Sequence, residues 1–429
     1  MSVGRRTCLV LLSVLGWGPV QILSADDWTN WRGPHFDGTV DPGNYPIEWS
    51  PKKNVAWSVG LPGKSGSTPV VWQDKLAMTV PIEGQNGVIA FDRSGKELWK
   101  VTLGAERAGK HKKGSGANSS PVADANRIYV YFKSGDFAAV DWSGKVLWHE
   151  NLQKNYGEDT LWWDLGTSPV LTSKHVVVAC VQSGPSYLAA FDPATGKEVW
   201  KVDRQLDAPE EAAQSYSTPI VTTYKGQEQI IVLGADHVTC HDAANGKELW
   251  RVGNLNPDRE RYFRSIASPV MAGDIVIAPY ARGKTVTAIR MGGSGDVTNS
   301  HVLWTKPLGA DVPTPAVENG KVYLCSDKGS ITCLAVETGE ELWTEALEKN
   351  RTAYSSSPVI AGNFLYFIRE DGRTFVIDLA EHKVKAENSL GENEYVLATP
   401  VFVDQEIFLR TFERLFCIQS AGKKVSQRK

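Results

Sequence analysis

The sequence predicts an all-β chain, an eight-bladed β-propeller of four-stranded antiparallel blades, and three observations carry that prediction. A Ser-Pro or Thr-Pro pair recurs eight times, at Pro69, Pro121, Pro169, Pro219, Pro269, Pro315, Pro358 and Pro400, spaced 42 to 52 residues apart. Each pair opens a unit of short β-rich runs, such as 127–132 (RIYVYF), 175–179 (HVVVA) and 364–368 (FLYFI). Most units close on a tryptophan: Trp99, Trp148, Trp200, Trp250, Trp304 and Trp343. Four strand-length runs in a repeat of this period are what a propeller blade requires.

The stretch 167–202 (TSPVLTSKHVVVACVQSGPSYLAAFDPATGKEVWKV) shows the unit in full. Its proline stands at the first position of a strand, where a missing N–H costs no ladder bond. The hydroxyl before it is expected to bond a local backbone group and mark the strand's start. The third run alternates small and apolar residues and ends on an acid, as in 190–192 (AFD), 139–141 (AVD) and 376–378 (VID). A turn with glycine follows, at Gly95, Gly144, Gly196, Gly246 and Gly339. Asp caps such a turn through its side chain, and Gly takes the positive φ of a bulged hairpin loop.

The eighth unit has only three runs after Pro400. Its fourth is expected from the other end of the chain, where 54–59 (NVAWSV) carries the tryptophan, Trp57, of an outer strand. Pairing there closes the last blade without an open seam. Two units depart from the pattern. The fifth has a Gly-rich insertion at 290–300, and the seventh has Lys383-Val384-Lys385-Ala386 in place of the tryptophan, so its outer strand is expected to be the least anchored.

Outside the propeller at 54–419, three further segments are distinguished. Residues 1–25 read as a signal peptide: Arg5-Arg6, an apolar run from Cys8 to Leu23, and small residues before Asp26. An N-terminal anchor is the alternative, but the interruption at 16–19 (GWGP) leaves the run short for a span, and no membrane span is expected after signal removal. An exported protein, periplasmic or extracellular, follows from this reading. Residues 26–53, with Trp28, Trp31, Arg32 and Phe36, are too aromatic for a linker and are expected to form a plug or strap. Residues 420–429 read as a flexible basic tail.

Composition excludes some classes. A net charge of −3 offers no global attraction for nucleic acid. Five cysteines beyond the leader, Cys180, Cys240, Cys325, Cys333 and Cys417, are too sparse and odd for a disulfide framework. Cys325 and Cys333 flank one hairpin turn, and both a pair and two free thiols fit that spacing. Cys240 and Cys417 stand where other units have Ala90, Ala139 and Ala190, which suits a small buried slot. His237 and His241, four apart on a strand with Cys240 between them, do not make a metal site. No phosphate loop, calcium loop or nucleophile elbow occurs.

The combination Ser-Pro-Val … Ala-Phe-Asp-x-x-Thr-Gly-Lys-Glu-x-Trp at 168–200 resembles the pyrroloquinoline-quinone-like (PQQ-like) repeat, in phase eight times over about 54–419. The N-terminal Trp28-x-x-Trp31-Arg32-Gly33-Pro34 stretch is similar to that of secreted bacterial propellers of this type. The resemblance implies two branches: quinoprotein alcohol dehydrogenases with PQQ and calcium, and noncatalytic propellers such as the outer-membrane-assembly lipoprotein. The dehydrogenases carry two adjacent cysteines against the quinone, and this chain has no Cys-Cys pair. The expectation is therefore a binding scaffold without a cofactor, with a PQQ- and metal-dependent dehydrogenase and a glycan-binding module as alternatives.

Binding residues are sought where each outer strand crosses to the next inner strand, around one mouth of the channel. Just before the prolines stand Asn118, Trp163, Asp164, Tyr216, Arg264, Asp311, Tyr354 and Tyr395. Mixed aromatic and charged side chains at a rim suit a protein or glycan partner; the same residues also suit loop packing. The loop at 107–113 is locally basic and that at 207–211 locally acidic. Such runs are either solvated tips or a two-signed binding face.

Overall fold

The computed structural model describes residues 27–420. The expected leader at 1–25 and the basic tail at 421–429 lie outside the described residues. Eight sheets are arranged in chain order, each with a four-stranded antiparallel core, and two of them carry an added parallel strand. Blade three, for example, pairs Val170–Leu171, Val176–Cys180, Tyr187–Phe191 and Glu198–Asp203 in sequence. Blade eight takes Val401–Val403, Glu406–Arg410 and Arg414–Ile418, and its outer strand is Val55–Gly60, in register with Trp57 opposite Cys417. The eightfold ring and its closure by the N-terminal strand are thus as the repeats predict.

The tryptophan and the glycine of the repeat meet between blades, not within one. Trp57, Trp99, Trp148, Trp200 and Trp304 lie against the turn glycines Gly95, Gly144, Gly196, Gly246 and Gly339 of the following blade. Four of these indoles also donate to a carbonyl of that turn, as Trp148 does to Pro193 over 3.0 Å. A Cβ on Gly246 would come within 2.6 Å of the Trp200 ring, and its φ is +75°, so the position admits only glycine without strain. Within its own blade each of these tryptophans faces a small residue: Ala90, Ala139, Ala190, Ala288 or Cys417. Trp250 faces Cys240 in the same way, and both cysteines are buried. The register breaks just before the tryptophan, leaving a bulged residue outside; Leu98, Leu147, Val199, Leu303 and Leu342 are exposed for this reason.

The hydroxyl before each proline does not bond locally, contrary to the expectation from sequence. The amide of Thr68 donates to Ser120 Oγ, that of Ser120 to Ser168, then Thr218, Ser268, Thr314 and Ser357 in turn, and Thr399 donates back to Thr68. Seven bonds of 2.8–3.0 Å link the eight positions around the channel, at every blade boundary but that between blades seven and eight.

Residues 27–53 cross the channel on the far side of that ring. Trp28 exchanges both backbone bonds with Val71, and Ala123 donates to Thr29 O. On the opposite wall Val317 donates to Asp37 O, Ile360 donates to Gly38 O, and Thr39–Val40 adds a parallel strand to the inner edge of blade seven. Val71, Val317 and Ile360 each lie three residues beyond a ring hydroxyl, about 10 Å along the strand. Arg32 is wholly buried beneath the ring and donates to Pro315 O and Pro358 O. Burial pushes its pKa down to about 10. Gly38 leaves the space this guanidinium needs, since a Cβ there would lie 1.8 Å from Nη2.

Blade seven is not left unanchored. Its outer strand, Lys383–Asn388, has Ala386 in the register position of the tryptophan, opposite Val376. The small side chain makes room for Trp49 of the N-terminal segment, which shares a buried cluster with Ala386 and Val376 and stacks on Tyr366. Asn388 clamps the segment, accepting from Trp49 N over 2.7 Å and donating to Ile47 O. The insertion of blade five acts likewise on blade four: Gly295–Asp296 pairs in parallel with Trp250 and Arg251 at the outer edge. The register of blade six sets Cys325 opposite Ile331 and Cys333 opposite Tyr323, so the two are not paired, and both thiols are free and buried.

Candidate functional site

The strand order places all eight hydroxyls of the ring at the waist of one cavity of about 550 Å³. The long crossover loops form its walls, and Trp31 of the N-terminal segment reaches it from the plugged side. The cavity therefore opens toward the crossover loops and is closed behind by the segment that also carries Arg32.

Six of the eight residues expected at the rim line this cavity: Asn118, Trp163, Asp164, Tyr216, Arg264 and Asp311. Two do not. Tyr354 is buried in the core between blades six and seven, stacked on Phe367 at 4.5 Å, because its backbone is drawn inward by the bond from Tyr354 N to Asp327 O. Tyr395 packs on Phe412 and donates to Glu370 Oε2 over 2.6 Å. Counting back from proline finds the loop but not the direction in which its side chain points.

Most charges of the wall are paired within the protein. Asp164 accepts from Lys133 Nζ at 2.5 Å, with both side chains buried, and from the amides of Lys110 and His111. Arg264 pairs with Asp311 at 3.1 Å and with Glu211 at 3.4 Å. Asp327 accepts from the amides of Asp311 and Val312, and burial holds its pKa above the ordinary carboxylate value. Lys113 reaches across the mouth to Glu370 of blade seven, 2.6 Å away and 257 residues on. The basic loop at 107–113 is thus a bar laid over the mouth, held by Asp164, by Lys110 Nζ donating to Leu161 O, and by Lys113.

One flank of the mouth is aromatic and open. Trp162 and Trp163 are each 44% exposed and Tyr262 47%. Three successive loops hold them: Trp163 Nε1 donates to Glu211, Trp162 N to Gln214, and Ala212 N to Arg261 O. Tyr262 was not singled out by sequence, whereas Trp162 belongs to the loop that holds the expected Trp163 and Asp164.

The quinone and calcium of the dehydrogenase branch do not fit this wall. Among the described residues no three His, Cys, Asp or Glu side chains converge as a metal site. A tricarboxylate quinone needs free cations, whereas Lys113 and Arg264 are already paired and three aspartates face the same space. His241 is buried, donating from Nδ1 to Gly246 O with Nε2 beside Thr239, and takes no part in the cavity.

A family model described as outer membrane protein assembly factor BamB matches the sequence over residues 46–184, 159–381 and 296–428, overlapping stretches that cover nearly the whole propeller. No curated protein matches it in sequence. Among solved structures, BamB from Moraxella catarrhalis superposes with a TM-score of 0.60 at 15% identity, covering 86% of this chain and 98% of that one. A europium-containing methanol dehydrogenase gives 0.67 at 12% identity, over 90% and 89%. The quinohemoprotein alcohol dehydrogenase from Comamonas testosteroni gives 0.65 at 12%, over 94% and 82%. At these identities the likeness is one of fold.

Proposed function

The chain belongs to the family of the outer membrane protein assembly factor BamB, a family of PQQ-like-repeat propellers, and from that premise we propose that it is an exported, noncatalytic scaffold that binds a protein partner on its crossover-loop face. The observation that supports this reading most is the aromatic flank of Trp162, Trp163 and Tyr262 on a face whose charged side chains are mostly paired with one another. Exposed aromatics on a rigid support are the usual anchors of an interface, and prepaired charges lower the desolvation cost of docking. The match to the BamB model agrees with a protein partner, and the apolar run at 8–23 with export. No helix among the described residues is long and apolar enough to cross a membrane.

Photo-crosslinking from position 162 or 262 in the producing cell tests the reading. A discrete protein adduct is expected from these positions and not from Lys52, which lies off this face. Equal labelling from all three, or none, overturns it. Mass analysis of the isolated protein is expected to show loss of residues 1–25. The second reading, a PQQ-dependent dehydrogenase, is supported by fold likeness to the two dehydrogenases. Reconstitution with PQQ and calcium, followed by dye reduction with alcohols, is expected to give no turnover; sustained turnover would replace the scaffold reading.

A further inference from the structure

We infer that the cavity behind the partner-binding face is a site for a neutral saccharide. The inference goes beyond the scaffold reading and rests on the hydrogen-bonding state of the lining, not on the outer flank.

The ring oxygens at Thr68, Ser120, Ser168, Thr218, Ser268, Thr314 and Ser357 each accept one backbone amide, and among the described residues none of the eight ring hydroxyls, Thr399 included, donates to a protein group. Their protons are left for whatever fills the cavity they line. Asn118 adds another donor: its Oδ1 is taken by Gly66 N and by Ser115 N and Oγ, while Nδ2 has no acceptor among the described residues. Trp31, which also lines the cavity, has no acceptor for Nε1 among the described residues either. These donors face the open cavity, so the waist is suited to a ligand, or to water standing in for one, with many uncharged oxygens.

Charge narrows the class. Lys113, Arg264, Asp164 and Asp311 are each paired, whereas Asp327 is held only by two amides. The lining thus offers no free cation to an anionic ligand and one carboxylate that repels it. Two indoles face the space: Trp31 at the closed end, with Arg32 behind it at 5.5 Å, and Trp163 at the mouth. Aromatic faces beside a few fixed polar groups, in a volume of this size, suit a small ligand with both apolar C–H faces and hydroxyls. A sugar ring has both, and its hydroxyls both give and accept, as the ring hydroxyls do.

Saturation-transfer NMR on the purified protein tests this with glucose, N-acetylglucosamine, cellobiose and maltose as probes and glucuronate as the charged control. At least one neutral sugar is expected to receive transfer at its ring protons. Glucuronate is expected to bind about tenfold more weakly, and Trp163→Ala to weaken the neutral sugar about tenfold. Trp31→Phe keeps an aromatic face, though a smaller one, and removes the N–H, and is expected to weaken binding severalfold without altering the fold. Trp162→Ala, outside the cavity, is expected to leave sugar binding unchanged while weakening capture of the protein partner, so the two readings fail separately. No transfer from any of the four sugars at about 10 mM, well above the Kd of a weak site, overturns the inference. So does glucuronate binding as well as glucose, or a Trp163→Ala protein that binds the sugar unchanged.

Discussion

The amide of Thr399 donates to the hydroxyl of Thr68 over 3.0 Å, although 331 residues separate them. This bond joins blade eight to blade one at the waist of the channel, and it repeats a contact made at six other blade boundaries. Each link satisfies a buried N–H that the following proline's strand cannot use, and each depends on the neighbouring blade being in place. Closure of the ring is therefore written in side-chain hydroxyls as well as in the strand Val55–Gly60.

Thr68→Val is expected to leave the Thr399 amide buried without an acceptor, at a cost of about 1–3 kcal/mol. Thr68→Ser should restore most of that. Urea denaturation gives the energies, and the Thr399 amide should exchange with solvent faster in the valine protein alone. An unchanged exchange rate would show that the bond does not hold the seam.

Trp200→Ala should destabilise the protein by about 3–5 kcal/mol, through lost burial and the cavity left against Gly246. Gly246→Ala should be comparably harmful, because it strains both the positive φ and the indole contact. The double variant should cost clearly less than the two single costs summed, since both disrupt one contact. Full additivity in denaturation would argue that the two do not act together.

Lys133 and Asp164 form a buried ion pair, so Lys133→Met should cost about 3–5 kcal/mol by leaving the carboxylate uncompensated. Asp164 would still accept from Lys110 and His111, and those amides should stay protected from hydrogen exchange. In Asp164→Ala they should lose protection, because the bar across the mouth loses its anchor. Protection of the 107–113 loop in both variants would assign its order to other contacts.

Burial pushes the pKa of His241 down from 6.5 to about 4, so the folded protein resists a proton that the unfolded chain accepts. Its contribution is fully present above pH 6.5, falls as the pH drops toward 4, and levels below that. The loss amounts to about 3 kcal/mol across that window. His241→Gln should flatten the fall in stability between pH 7 and 4 relative to wild type, measured by denaturant titration at each pH. An identical slope in both proteins would show that His241 does not set it.

Much of the fold is legible in the chain because its determinants are local and repeated. Proline at a strand's start, acid and glycine in a tight turn, and alternating small and apolar residues each act within a few residues, and eight copies in phase leave one closed arrangement. The missing fourth strand of the eighth unit and the spare tryptophan run at 54–59 pointed to each other on the same grounds. What these local terms do not contain is the partner of each group. The tryptophan and glycine of one repeat serve different boundaries, and the Ser and Thr hydroxyls bond the next blade instead of their own turn. Trp49 fills the gap at Ala386 from more than 300 residues away, so blade seven only looked unsupported. The site shows the same division. Spacing from proline placed Asn118, Trp163, Asp164, Tyr216, Arg264 and Asp311 around one mouth, but buried Tyr354 is turned into the core by packing against Phe367. The repeats alone determined a ring of eight blades and where its loops gather. Only the tertiary structure decided that the ring's hydroxyl protons stay unused, that Trp31 closes the cavity from behind, and that nearly every charge around it is already paired, because each of those depends on groups brought together from distant blades.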